Sequence, residues 1–537
     1  MNRRKLKVTM QTIQEHRVIG PPGCGKTTWL GRQVERAVNA GESVLIASLT
    51  RAAASEVAGR HLPLPEENVG TLHAHCYRSL GRPEIAETKA KYIEDWNKTH
   101  PGYALTVKRR DIDEDNTEPS AESLGDEMMA RYQVLRARML TVLPPDVHRF
   151  ADAWKAWKEA NDLVDFTDLI ELSVHEVSTA PGSPSVLFID EAQDMDALEM
   201  ALVRKWGERA GYLVVVGDPD QNLYLWRGSD PGAFTNSELP DEQKMVLEQS
   251  FRVPSAIHSV AVRWINQIKA RKPVNYHPRD AEGEVRRIEA TWKHAEPLMK
   301  DVDRQLTNGR SVMLLASCSY MLRPLISVLR QTGIPFHNPY RRNRGDWNPL
   351  ATHKNQVTAA ERIISFMHLS ESGKWTAEDM KWWTEVVAVE AVLPGGRDGI
   401  DVMYDADDMG VPRDVLNYLV SEEAINAGLG GDLDWYQSHL LAKKKEGASF
   451  PCKVVAKGGV GLLLETPKVV VGTIHSVKGG EADVVYLMPD LSRAGMAQWV
   501  GTDIESAAIR RLFYVGMTRA RDSLVLCNPA GRMAVQI

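Results

Sequence analysis

Eight consecutive residues near the start, Gly20-Pro21-Pro22-Gly23-Cys24-Gly25-Lys26-Thr27, restrict the folds open to this chain more than any other segment. They match G-x-x-x-x-G-K-[ST], and residues 17 to 30 read as strand, glycine loop and helix, the context this pattern requires. Glycines let backbone N–H groups face phosphates, Lys26 can reach the β- and γ-phosphates of a nucleotide, and the Thr27 hydroxyl can ligate Mg²⁺. The competing explanation is an accidental glycine turn, which the flanking strand and helix disfavour. Alone, the loop specifies nucleotide binding and no particular reaction.

A loop of this kind sits at the carboxyl edge of a parallel sheet. The runs Ser43 to Ser48, Ser185 to Asp190 and Tyr212 to Gly217 are continuously apolar, of strand length, and each leads into a polar loop. Strands buried on both faces have this composition. The pattern returns at Ser311 to Ala316, Lys468 to Thr473 and Asp483 to Leu487, and closes with Ser523 to Leu526. The reading is therefore an α/β chain with two parallel-sheet lobes. A length of 537 residues supports it, because one hydrophobic core cannot serve so many.

Two stretches interrupt the lobes. Residues 86–160 are charged and helix-like, with a polar segment from Asp111 to Glu118. Residues 337–464 hold the cluster Arg341-Arg342-Asn343-Arg344, tryptophan-rich helices and a Gly428-Leu429-Gly430-Gly431 turn. Both are expected to be mainly helical inserted subdomains. The first lobe then comprises 1–85 and 161–248, and the second 249–336 and 465–537.

Composition narrows the setting. No run approaches the ~20 apolar residues that span a bilayer, and no apolar signal core follows Met1-Asn2-Arg3-Arg4-Lys5. Five scattered cysteines without a CxxC pair argue against a zinc site or a disulfide framework, so a cytoplasmic location without membrane association is expected. The net charge of -6 neither supports nor excludes nucleic-acid binding, because a local groove decides backbone contact.

Two further strand ends carry chemistry. In Asp190-Glu191-Ala192-Gln193-Asp194, the first acid can hold the water shell of Mg²⁺, and Glu191 can position and deprotonate an attacking water. An acidic helix N-terminus is the plainer alternative, weakened by the phosphate loop upstream. In Gly217-Asp218-Pro219-Asp220-Gln221-Asn222-Leu223-Tyr224-Leu225-Trp226-Arg227-Gly228, a glutamine can sense a γ-phosphate, and Tyr224 and Trp226 can stack on bases. Stacking contributes about 1–3 kcal/mol per base, against about 1.4 kcal/mol to melt an average base-pair step. Such stacking could hold a freed base, while directed movement would still need ATP. A core role for Trp226 is the alternative.

Taken in order, these segments resemble the UvrD/Rep/PcrA branch of superfamily 1 helicases. The resemblance extends through Thr50-Arg51-Ala52-Ala53-Ala54-Ser55-Glu56, Gly70-Thr71-Leu72-His73, Asp165-Phe166-Thr167-Asp168-Leu169 and Leu247-Glu248-Gln249-Ser250-Phe251-Arg252. It continues in Thr473-Ile474-His475-Ser476-Val477-Lys478-Gly479-Gly480-Glu481 and in Arg510 to Ala520, which contains Tyr514-Val515-Gly516-Met517-Thr518-Arg519.

The resemblance implies two RecA-like lobes, ATP and Mg²⁺ as cofactors, and 3′-to-5′ travel on single-stranded DNA or tailed duplex DNA, with replication or repair proteins as partners. It implies ATP binding by Gly20 to Thr28 (including Pro21, Pro22, Cys24 and Thr28), adenine packing on Phe251 and ribose contact by Glu481. Lys26, Thr27, Asp190 and Glu191 would form the hydrolytic centre, with Thr27 and Asp190 toward the metal. Gln221 would be the sensor, and Arg252 and Arg519 the arginines reaching the γ-phosphate. Thr50, Arg51, His73, Tyr224, Trp226, Thr473 and His475 match strand-contacting positions.

The chain departs from the family at several points. No upstream glutamine matches the adenine-reading motif, and Leu49 and Leu72 stand where relatives commonly have phenylalanine. The Leu315-Ala316-Ser317 region lacks the arginine often found there. A second reading stays open, a nucleotide-gated DNA-binding remodelling factor that does not unwind duplex.

Overall fold

A computed structural model of the protein describes residues 14–49, 63–107, 123–235, 238–341, 345–404 and 410–537. Thr50 to Glu56, Asp111 to Glu118 and Arg342 to Arg344 lie outside the described residues. The chain divides into two compact units. The first comprises Met1–Arg286, Ile474–Val525 and Met533–Ile537; the second comprises Arg287–Thr473 and Leu526–Arg532.

In the first unit, strands β1 (Gln14–Ile19), β2 (Val44–Ser48), β3 (Val69–Thr71), β4 (Val186–Asp190), β5 (Tyr212–Gly217) and β6 (Lys244–Val246) form one sheet. Their order is β3-β2-β4-β5-β1-β6, and every neighbouring pair runs parallel. The continuous apolar runs have a direct cause. Leu45, Leu187, Ile189 and Val215 bury against one helical layer containing Trp206, while Ile46, Phe188, Val214 and Val216 pack with Leu30 and Val34 on the other face. Alternate side chains thus enter two different cores, and neither face tolerates a polar residue. Register places Ser48 beside Asp190 and Ile19 beside Gly217, so the loops after β1, β4 and β5 leave the same edge of the sheet.

Helices Ala90–Thr99, Leu124–Ala137 and Pro145–Ala160 occupy the first interrupting stretch, in agreement with the sequence reading. Their core is aromatic: Trp96 meets Trp154 edge-on at 5.0 Å and Trp157 at 5.6 Å. Many of the tryptophans are therefore structural. Beyond β6, β7 (Gln249–Pro254) pairs in parallel with β8 (His277–Arg279). Strands β9 (Glu284–Ile288), β13 (Ala482–Leu487) and β14 (Ala520–Cys527) are neighbours in the order β13-β14-β9.

The second unit holds β10 (Val312–Ala316), β11 (Phe336–His337) and β12 (Val469–Thr473), parallel in the order β11-β12-β10. Its long helical stretch from Ala359 to Leu464 encloses a separate core around Phe366, Trp375, Trp383 and Tyr436. All five cysteines are free, and among the described residues no helix is long and apolar enough to cross a membrane.

Candidate nucleotide and nucleic-acid site

The phosphate loop connects β1 to helix Lys26–Asn39, and no side chain caps the start of that helix. A helix start without a side-chain cap suits an anion. Gly23 and Gly25 both have φ of +74°. A Cβ at Gly23 would also lie 2.5 Å from the Arg252 Cβ and 2.7 Å from Ser250 Oγ, so glycine is required there twice over. Lys26 Nζ donates to the Gly20 carbonyl at 2.8 Å. The loop is braced from β7 and from Tyr276, just before β8. Ser250 Oγ and Tyr276 Oη donate to the Pro22 carbonyl at 3.0 and 2.9 Å, and the Phe251 amide donates to the Gly23 carbonyl at 2.9 Å. Cys24 is buried, and that burial pushes its thiol up to about 12, leaving it inert at neutral pH. An open helix start, a glycine cradle and a lysine that needs only to let go of Gly20 fit a polyphosphate.

Asp190 ends β4, and Glu191 follows in the left-handed region at φ 54°, ψ 36°. An L-residue is held there at a cost of about 1–2 kcal/mol. Gln193 Nε2 donates to Glu191 Oε2 at 2.5 Å, and Lys478 Nζ lies 3.1 Å from the same oxygen. Lys478 also pairs closely with Asp194. Burial alone would raise the Glu191 carboxyl; Lys478 and then Lys26 outweigh it and hold the group at about 2. Asp194 goes the other way, to about 6, because its burial and the neighbouring Glu191 charge outweigh Lys478.

Arg519 is 2% exposed, and its Nη2 donates to Gln221 Oε1 at 2.8 Å. Its Nε and Nη1 are anchored on the Val515 and Gly480 carbonyls. Gln221 Nε2 in turn donates to Asp218 Oδ2 at 2.7 Å, and Asp218 feels the charge of Lys26. The Gly20 amide donates to the Gly217 carbonyl at 3.0 Å, so the phosphate loop starts beside the strand end that leads to Asp218 and Gln221, the partner of Arg519. Arg252 Nε pairs with Glu481 Oε2 at 2.6 Å. Phe251 is 72% exposed beside Gly25, an open platform at the loop mouth.

Other candidates are less accessible. Tyr224 is 2% exposed, with Lys478 Nζ 5.6 Å and the Arg227 guanidinium 5.9 Å from its ring centre, whereas Trp226 is half-buried. His73 lies 3.8 Å from Glu199 and edge-on to Phe166. Burial, helped by Arg227, lowers its imidazole to about 4. His475 is likewise lowered to about 4 by burial and by Lys478, so both rings are neutral at pH 7. Thr473 ends β12 in the second unit and is fully buried. Thr50 and Arg51 lie outside the described residues.

Comparison with known proteins gives the same assignment from two directions. Residues 1–240 match the family of the UvrD/REP helicase N-terminal domain, and residues 468–527 match that of the UvrD-like helicase C-terminal domain. This chain belongs to the UvrD/Rep/PcrA-like helicase family. An ATP-dependent DNA helicase PcrA from Leuconostoc citreum is 25% identical over 364 residues, covering 63% of this chain and 48% of the relative. The proteins of the same description from Staphylococcus epidermidis and Staphylococcus aureus are 24% and 27% identical, over 60% and 34% of this chain. The matches thus span about half of the first two relatives, at 48% each, and 26% of the third.

Sequence reasoning missed Lys478, the cation between Glu191 and Asp194. The available signal was its place three residues after His475 in an already quoted motif. It also missed Tyr276, which no motif marks and which only the pairing of β7 with β8 brings to the phosphate loop.

Proposed function

We propose that this protein is an ATP-dependent DNA helicase and single-strand translocase moving 3′ to 5′. The observation that carries the reading is the hydrogen-bonded series Asp218–Gln221–Arg519, which brings an arginine from the far end of the sequence to the strand end that also holds the start of the phosphate loop, Gly20 on Gly217. ATP bound with Mg²⁺ supplies the bond to be broken and a neutralising cation. The helix start and Lys26 would bind the phosphates, Thr27 and Asp190 would hold the metal, and Glu191 would take the proton of the attacking water. Gln221 and Arg519 exchange their mutual hydrogen bond for the γ-phosphate, an arginine contribution of about 10³–10⁵ in rate. Phe251 packs on the base, Glu481 meets the ribose, and Arg252 turns from Glu481 toward the phosphates. His73, Trp226 and His475 contact the strand, with Thr50 and Arg51 joining them, while the enclosed Tyr224 backs that surface through Lys478 and Arg227.

Tailed duplexes of both polarities, with labelled strands and measured phosphate release, test this. Expected are DNA-stimulated ATP hydrolysis and displacement from 3′ tails. Displacement only from 5′ tails refutes the direction. ATP-dependent DNA binding without displacement identifies the remodelling factor instead, and hydrolysis indifferent to DNA removes the motor.

A further inference from the structure

The described residues of the helical insertion in the first unit include an exposed nonpolar turn that the reading above does not use. Helix Leu124–Ala137 ends in Arg138-Met139-Leu140-Thr141-Val142, and all five of these residues are exposed. Met139 is 51%, Leu140 49% and Val142 84% exposed. Single exposed apolar side chains are ordinary, but three within four residues form a patch that calls for an occupant.

The turn is held firmly. Met139 is left-handed at φ 57°, its amide donates to the Arg136 carbonyl at 2.8 Å, and the Leu140 amide donates to the Leu135 carbonyl at 2.9 Å. These paired bonds are a helix-terminating motif usually given to glycine, here occupied by methionine. Arg136 itself is fixed by Asp165, Asp168 and Glu171, and Pro144-Pro145 stiffens the far side. A nonpolar tip on a rigid stalk keeps its shape when pushed against something.

Its neighbour indicates what that is. The same helix packs on the Leu225–Arg227 turn that carries Trp226, so closely that a Cβ on Gly228 would lie 3.0 Å from the Ala137 Cβ. Ala137 is two residues before Met139. We infer that the Met139–Val142 tip is a wedge whose apolar side chains cap the base pair or freed base next to the strand held at Trp226, with Arg138 beside it for backbone phosphate. The inference rests on the proposed helicase function.

The test uses the full chain carrying Met139→Ser, Leu140→Ser and Val142→Ser together, all at solvent-facing positions. Strand displacement from a tailed duplex is expected to fall about five-fold or more, while hydrolysis stimulated by single-stranded DNA stays within about two-fold of the parent. Unchanged displacement overturns the wedge. Equal loss of both activities also overturns it, because the turn would then serve strand binding or folding. If the parent protein lacks hydrolysis stimulated by single-stranded DNA, the helicase reading fails first, and the two failures are told apart.

Discussion

Two clusters of buried charge in the first unit are built from the same residue types and behave oppositely. At the base of the helical insertion, Arg136 donates to both oxygens of Asp165 at 3.0 and 2.9 Å and also reaches Asp168 and Glu171. Lys158 donates to Asp165 at 2.6 Å, and the Trp154 indole adds a bond at 3.0 Å. Asp165 thus accepts from Arg136, Lys158, Trp154 and the Asp168 amide, and it is held at about 2 because Arg136 and Lys158 outweigh its burial. Around the candidate catalytic residues, one cation, Lys478, is divided between two carboxylates, and Asp194 is raised to about 6. Beside His73, burial and Asp196 lift Glu199 to about 8. A fully paired network fixes a shape. An under-neutralised one leaves charge to be settled by something that binds, which is where functional groups are expected.

The largest test separates the two clusters by activity. Lys26→Ala should lower DNA-stimulated phosphate release by about 10³-fold or more with thermal unfolding nearly unchanged, whereas Arg519→Ala should lower it comparably and also destabilise, because it empties a buried site bonded to Gln221, Val515 and Gly480. Comparable turnover in either variant breaks the assignment of that cluster to catalysis. Arg136→Leu should do the reverse, costing about 3–5 kcal/mol in denaturant unfolding because Asp165 is left buried and uncompensated. Stability within about 1 kcal/mol of the parent would mean the network contributes little.

A finer contrast lies in pH. Lys478→Met removes the charge that keeps Glu191 ionised, so the acid limb of the turnover profile should move upward by about one pH unit or more. A limb that stays in place excludes Lys478 as the partner of the base.

The smallest effects are on stability. Asp165 has a folded value below its ordinary 3.8, so its contribution is present above pH 4 and disappears as pH falls through about 2. The shift corresponds to roughly 2 kcal/mol. Glu199 has a folded value above its ordinary 4.5, so its contribution is complete below that pH and is lost as pH rises through about 8. Melting temperatures of the parent and Glu199→Gln should therefore lie closest near pH 5 and diverge toward pH 9, where ionisation of the buried carboxyl lowers the parent but not the amide. Parallel curves would show that Glu199 does not titrate in this window.

What the sequence disclosed follows the same division. The six long apolar runs all became strands, since a strand buried on both faces must be apolar throughout. Strands β3, β6, β8 and β11 escaped notice because two or three residues at a sheet margin or in a small ribbon leave no periodicity to detect. Phosphate-loop residues were legible because their chemistry depends on local spacing. The tie between Arg519 and Gln221 was expected only as a shared approach to one nucleotide, and the role of Tyr276 was invisible, since each depends on a contact made across more than two hundred residues. The accessibility of Tyr224 was equally beyond reach: its ring is enclosed by packing that no neighbouring residue announces.

The first unit is assembled from distant portions of the polypeptide, with Ile474–Val525 folded against Met1–Arg286. A ribosome working through this message would release the phosphate loop long before Arg519 existed to meet Gln221. During that interval the nascent first portion exposes the surface that the later portion will cover, a state that invites chaperones. Truncated products ending before residue 474 would accordingly be poorly folded partners for nucleotide, whatever their own motifs promise.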